Sequence, residues 1–167
     1  MPFARRVSPS TIRFLICCVA LAVAVPSVFA HCQIPCGIYG DQTRFVILRE
    51  HVTTIEKSMA KIDEEGKAEA PNWNQLVRWV ENKEQHADEL SEIVTYYFMT
   101  QRIKPPAADA DAATQAKYQK EIGLLHQMLV HSMKAKQTTD MAHVKALRGL
   151  IDDFEMSYMG ENKKHTH

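Results

Sequence analysis

From residue 42 onward apolar residues return every three or four positions, and no stretch alternates apolar with polar as a half-buried strand does. Phe45, Leu48, Val52, Ile55, Met59 and Ile62 are spaced three, four, three, four, three. That is one stripe along a helix of about six turns, and Gly66 marks its stop. A second stripe runs through Trp73, Leu76, Val80, Ala87, Leu90, Val94 and Tyr97, with Asn72 as N-cap and Pro105-Pro106 closing the segment. After a loop rich in Ala and Asp, a third passes through Tyr118, Ile122, Leu125, Leu129 and Ser132. The fourth starts at Asp140 as N-cap and follows Val144, Leu147, Ile151, Phe154 and Tyr158. Four amphipathic helices joined by short or modest loops predict an all-α fold, an antiparallel up-down four-helix bundle over residues 42–160. Packing or a subunit contact accounts for Met128, Met133, Met141, Met156 and Met159.

The first 30 residues break this beat. A basic start with Arg5, Arg6 and Arg13 precedes an apolar stretch from Phe14 to Val25, and Val28-Phe29-Ala30 stands before His31. These are the three parts of a secretory signal, with Ala30 the small residue at the cut. The apolar stretch is only 12 residues long. A helix needs about 20 to cross a bilayer, so the segment predicts a cleaved leader and no stable membrane anchor. A leader-cleaving peptidase is then a partner, the location is periplasmic or extracellular, and the mature chain begins at His31.

Cleavage changes the composition that matters. The 20 basic and 20 acidic residues of the whole chain become 17 against 20, a net charge of −3 for the 137 residues that remain. No basic face is left for a nucleic acid. Of four cysteines, Cys17 and Cys18 depart with the leader, while Cys32 and Cys36 stay in the segment 31–41. His51, His86, His126, His131 and His143 are scattered over different helices without a Glu-x-x-His pair, so no bundle-core metal site is expected. Residues 161–167 read as a polar, histidine-containing tail.

The new terminus carries distinctive chemistry. The α-amine of His31, the amide nitrogen of Cys32 and its thiol follow one another, so one metal can close two small chelate rings on them. Cys36 supplies a fourth donor if the chain turns back, a turn that Pro35 favours. The imidazole of His31 can reach up as an axial ligand. A planar set of two nitrogens and two sulfurs suits Cu(II) or Ni(II), whereas Zn(II) prefers a tetrahedron. Thiolates tend to reduce Cu(II), which favours nickel without settling the choice. The competing reading is a Cys32–Cys36 disulfide, common in exported chains but too short a loop to stabilise a bundle much.

The stretch "HCQIPCGIYG" resembles the N-terminal hook of the nickel-dependent superoxide dismutases, whose pattern is His-Cys-x-x-Pro-Cys-Gly-x-Tyr after removal of a leader. His31, Cys32, Pro35, Cys36, Gly37 and Tyr39 match it. Weaker likeness continues through Lys83-Glu84-Gln85 and Pro105-Pro106. The resemblance implies a homohexamer of four-helix bundles with one nickel per subunit, converting superoxide to oxygen and hydrogen peroxide as the metal alternates between Ni(II) and Ni(III). By the same likeness His31 gives amine and axial imidazole, Cys32 gives amide nitrogen and thiolate, and Cys36 gives the second thiolate. Tyr39 stands beside the open face, and Pro35, cis in the family, holds the return turn. An exported nickel-binding or delivery protein without dismutase activity keeps the same hook and is the alternative.

Three positions depart from the family. An acidic residue commonly follows the first cysteine, and here it is Gln33. The best-known members orient the axial imidazole with a glutamate on the first helix and an arginine after the Lys-Glu-Gln run. Those positions fall on Ile47 and His86. An arginine without its carboxylate would be an unpaired charge in a tight site, whereas a neutral histidine costs far less to desolvate. His86 is therefore expected to orient the His31 ring.

Overall fold

The computed structural model of the chain describes residues 40–160. The leader, the hook residues His31, Cys32, Gln33, Pro35, Cys36 and Tyr39, and the tail at 161–167 lie outside them. Helix α1 spans Asp41–Gly66, α2 Trp73–Glu92, α3 Ala112–Gln137 and α4 Met141–Met159. A ten-residue π-helical segment, Ile93–Arg102, continues α2. The α1–α2 and α3–α4 hairpins are the tightest pairs, and α2 also packs on α3 and α1 on α4. Each helix thus meets its two neighbours around one core, which is the four-helix bundle that the apolar beat predicts.

The helix starts follow their local chemistry. Asn72 accepts a hydrogen bond from the Gln75 amide at 3.2 Å, and Asp140 one from the Ala142 amide at 2.9 Å. Asp111 caps α3, accepting from the Thr114 amide and hydroxyl, both at 2.8 Å. Those bonds hold its carboxyl below the ordinary aspartate value.

Five of the six stripe residues of α1 are buried, with Ile62 half-buried near the end. Two other stripes need correction. Trp73 is 68 % exposed and Leu76 and Val80 are half-buried, because the first turns of α2 project past the core. On α3 the buried face is Leu124, Leu125, Met128, Ser132 and Ala135, while Tyr118, Ile122 and Leu129 sit at its edge. Small residues line the seam with α2: the Ser132 hydroxyl donates to the Ala87 carbonyl at 2.7 Å and lies 3.1 Å from the Ser91 hydroxyl.

The π-helical register has a definite effect. With hydrogen bonds reaching five residues back, as from the Ile103 amide to the Phe98 carbonyl at 2.9 Å, residues five apart come to share a face. Phe98 and Ile103 are both buried. Tyr97 and Arg102 likewise stack, the guanidinium 4.8 Å from the ring centre and its Nη2 2.9 Å from the phenol oxygen.

Lys83 is the least expected member of the interior, only 4 % exposed. Its Nζ donates to the carbonyls of Ala135 at 2.8 Å, Lys136, and Thr138 at 3.4 Å. These are the orphan carbonyls at the C-terminus of α3, where the helix dipole also favours a cation. Lys83→Met leaves them without their donor, and the expected loss is about 1–3 kcal/mol in denaturant melts at unchanged helix content.

Candidate metal centre

All four cysteines precede residue 40, so every thiol donor of the chain lies ahead of α1. What the bundle contributes is the mount from which that segment departs. Gly40 precedes α1 with extended backbone and no side-chain cap. Asp41 then fastens the first turn. Its Oδ1 accepts from the Tyr97 hydroxyl at 2.6 Å, its Oδ2 accepts from the Tyr158 hydroxyl at 3.0 Å, and Arg102 Nε lies 3.1 Å from Oδ1. One carboxylate thereby ties the start of α1 to the π-helical segment and to the last turn of α4.

The electrostatics of this anchor are consistent. Burial, aided by the Asp41 carboxylate, pushes both tyrosine hydroxyls above their ordinary value, so they remain donors at physiological pH. The Tyr97 hydroxyl, with Asp41 close by, raises Arg102 in turn. Arg44 adds a second guanidinium, 5.1 Å from the Tyr97 ring centre. Beneath them Phe45, Phe98, Phe154 and Tyr158 form an aromatic floor, with Phe98 4.9 Å from Phe154 and 5.1 Å from Phe45 between ring centres.

His86 is half-buried on α2. Its Nδ1 lies 2.8 Å from Nδ1 of His51 on α1. Glu89 Oε2 completes the group, 3.4 Å from the His51 nitrogen and 3.5 Å from that of His86. Gln85 Nε2 donates to the other Glu89 oxygen at 2.8 Å. Burial pushes the His51 imidazole down, so it is neutral at pH 7. Ile47 stands one turn before His51, on the same face of α1. His86 thus meets α1 at His51, one helical turn on from Ile47.

Sequence reasoning missed His51 and Glu89 as partners of His86. It looked for Glu-x-x-His, and the signal present is the reverse, His86-x-x-Glu89 on α2. Four of the five histidines that look scattered along the helices form two pairs, for His131 and His143 also face each other across α3 and α4, Nδ1 to Nδ1 at 3.2 Å, while His126 is exposed. Burial, with His143 and Lys134 nearby, lowers His131. A histidine depressed in the fold binds fewer protons there than in the unfolded chain, so its contribution is present above about pH 6.5 and is lost as pH falls below that value. Urea melts between pH 7.5 and 5.5 are expected to show stability falling with acidification, and falling less in His131→Gln.

The residue types ahead of α1 fit nickel: the thiols of Cys32 and Cys36 and the imidazole of His31 are sulfur and nitrogen donors of the kind that metal takes. Comparison with curated proteins and with solved structures returned no match. The family model of nickel-containing superoxide dismutase matches residues 26–163, a span that takes in the hook segment, all four helices and the Asp41 anchor. With that match over most of its length, the chain belongs to the nickel-containing superoxide dismutases, oxidoreductases that act on superoxide with nickel as their cofactor.

Proposed function

We propose that this is an exported dismutase whose site is made by cleavage after Ala30. The observation that carries the reading is the contiguous His31-Cys32-Gln33-Ile34-Pro35-Cys36-Gly37-Ile38-Tyr39 run at a predicted processing point, inside a family match that spans the bundle. Two superoxide anions and two protons give one oxygen and one hydrogen peroxide. Nickel, when bound, supplies the one-electron exchange between Ni(II) and Ni(III) that links the two halves.

The chain's own residues do the rest. His31 donates its freed amine and its imidazole, Cys32 its amide nitrogen and thiolate, and Cys36 the second thiolate, one nickel per subunit. Thiolate and amidate donors push electron density toward the metal position and lower its potential. Pro35 holds the turn that brings Cys36 back. Tyr39 limits access to small anions and orders water, and Gln33 offers hydrogen bonds where relatives carry a charge.

His86 orients the His31 ring. Its Nδ1 is engaged by His51, which leaves Nε2 for this purpose. His86→Ala is expected to lower kcat about 10–100-fold while nickel stays bound, the effect typical of losing an outer partner of a metal ligand. Unaltered kinetics would remove the assignment.

Assembly into a homohexamer is supported by apolar surface at the start of α2, where Trp73 is 68 % and Val77 54 % exposed. Light scattering on the mature protein reads this directly. The experiment that tests the whole proposal is N-terminal sequencing of the exported protein, with nickel analysis and stopped-flow superoxide decay on one preparation. A chain beginning at His31, with one nickel and catalytic decay, is the expected result. Nickel without decay makes it a nickel-delivery protein, and a mature mass two hydrogens light without metal makes it a disulfide-stapled bundle.

A further inference from the structure

We propose that His51, His86 and Glu89 form a second metal site, between α1 and α2, that takes a divalent ion of the zinc class. It takes no ligand from the hook and no sulfur, using Nδ1 of His86 and leaving Nε2 of that ring for His31. The three donor atoms make a triangle with sides of 2.8, 3.4 and 3.5 Å. Tetrahedral zinc with bonds of about 2.0–2.1 Å sets its ligand atoms about 3.3 Å apart. Two sides already match, and the third opens by a few tenths of an ångström when an ion replaces the hydrogen bond between the imidazoles.

The chemistry of the set selects the ion. Two imidazole nitrogens and one carboxylate oxygen are ligands that suit zinc, whereas magnesium and calcium ask for oxygen alone and Cu(I) for sulfur. Three protein donors leave a fourth position for water or a second ligand. His51 is neutral at pH 7, as a nitrogen ligand must be. Glu89 and Glu50 supply negative charge around it.

The site is also pre-built. His86 and Glu89 lie three residues apart on one face of α2, and His51 comes from the packed face of α1, so no loop has to order. Gln85 holds one Glu89 oxygen at 2.8 Å and leaves the other to the ion, an outer-shell arrangement that metal carboxylates commonly have. The Glu89 and His86 side chains remain partly exposed, which gives an ion its path in. The His131–His143 pair lacks this completeness, since among the described residues no third donor joins it.

The test is titration of Zn(II) alone into nickel-loaded mature protein at pH 7.5, followed by calorimetry and by metal analysis after desalting. One zinc per chain beyond the nickel is expected. Its affinity should fall at least about tenfold in His51→Ala and in the milder Glu89→Gln, and stay unchanged in His131→Ala. Co(II) in place of zinc should give the visible absorption of a tetrahedral centre, lost in the same two variants. A Cys32→Ser/Cys36→Ser chain should bind the zinc equally, so failure of the hook reading leaves this result standing. No zinc beyond the nickel, or zinc whose affinity survives both His51→Ala and Glu89→Gln, overturns the proposal.

Discussion

A mature protein that retains Ala30 ahead of His31 is expected to lose at least about a hundredfold in superoxide turnover, more than is usual for loss of an outer-shell partner alone. The added residue converts the terminal amine into a peptide nitrogen. An amine has a lone pair ready for a metal, whereas an amide must first give up a proton and is a planar, encumbered donor. In the proposed set the His31 nitrogen would no longer be a ready donor, and one of the two small chelate rings would be lost with it. Nickel content should fall in parallel. Stopped-flow decay and metal analysis on Ala30-retaining and His31-starting chains make the comparison, and equal turnover in the two would break the proposed ligand set.

Phe98→Ala is expected to cost about 3–5 kcal/mol, the range for truncating a fully buried aromatic whose cavity cannot collapse. Phe98 is wholly buried and touches Phe45, Tyr97, Phe154 and Tyr158. Two of those neighbours, Tyr97 and Tyr158, are the hydroxyl donors that hold Asp41. The substitution therefore removes the floor under the anchor as well as core volume. Urea or thermal melts report the first effect, where a midpoint drop of roughly ten degrees or more is expected for a domain of this size. A loss under about 1 kcal/mol would mean that the aromatic floor repacks freely.

The bundle was legible in the sequence because burial along a helix is a local, periodic signal. The stripes from Phe45 to Met59 and from Val144 to Phe154 are buried as the spacing predicts, and the Asn72 and Asp140 caps hold the starts they mark. What was illegible depends on how helices meet. Nothing in the period of α3 reveals that Ser132 hydrogen-bonds to the Ala87 backbone or that Leu124 and Met128 face inward. The change to π-helical register at Ile93 hides for the same reason, since Phe98 and Ile103 share a face only once the turn has widened. At the site, the hook pattern stands out in the sequence because its residues are contiguous, and it lies outside the described residues. His51 and Glu89 do not stand out, because they reach His86 from another helix and from three residues on.

The place of Lys83 bears on how the molecule comes apart. It belongs to the α1–α2 hairpin, yet its ammonium closes the end of α3 and the turn into α4, while Arg49 and Arg148 clasp acids across α1 and α4. Opening the hairpins strips the α3 end carbonyls of the Lys83 ammonium and parts the Arg49 and Arg148 ion pairs. Partial unfolding is thereby penalised where the two hairpins meet, and the described helices are expected to melt in a single concerted step.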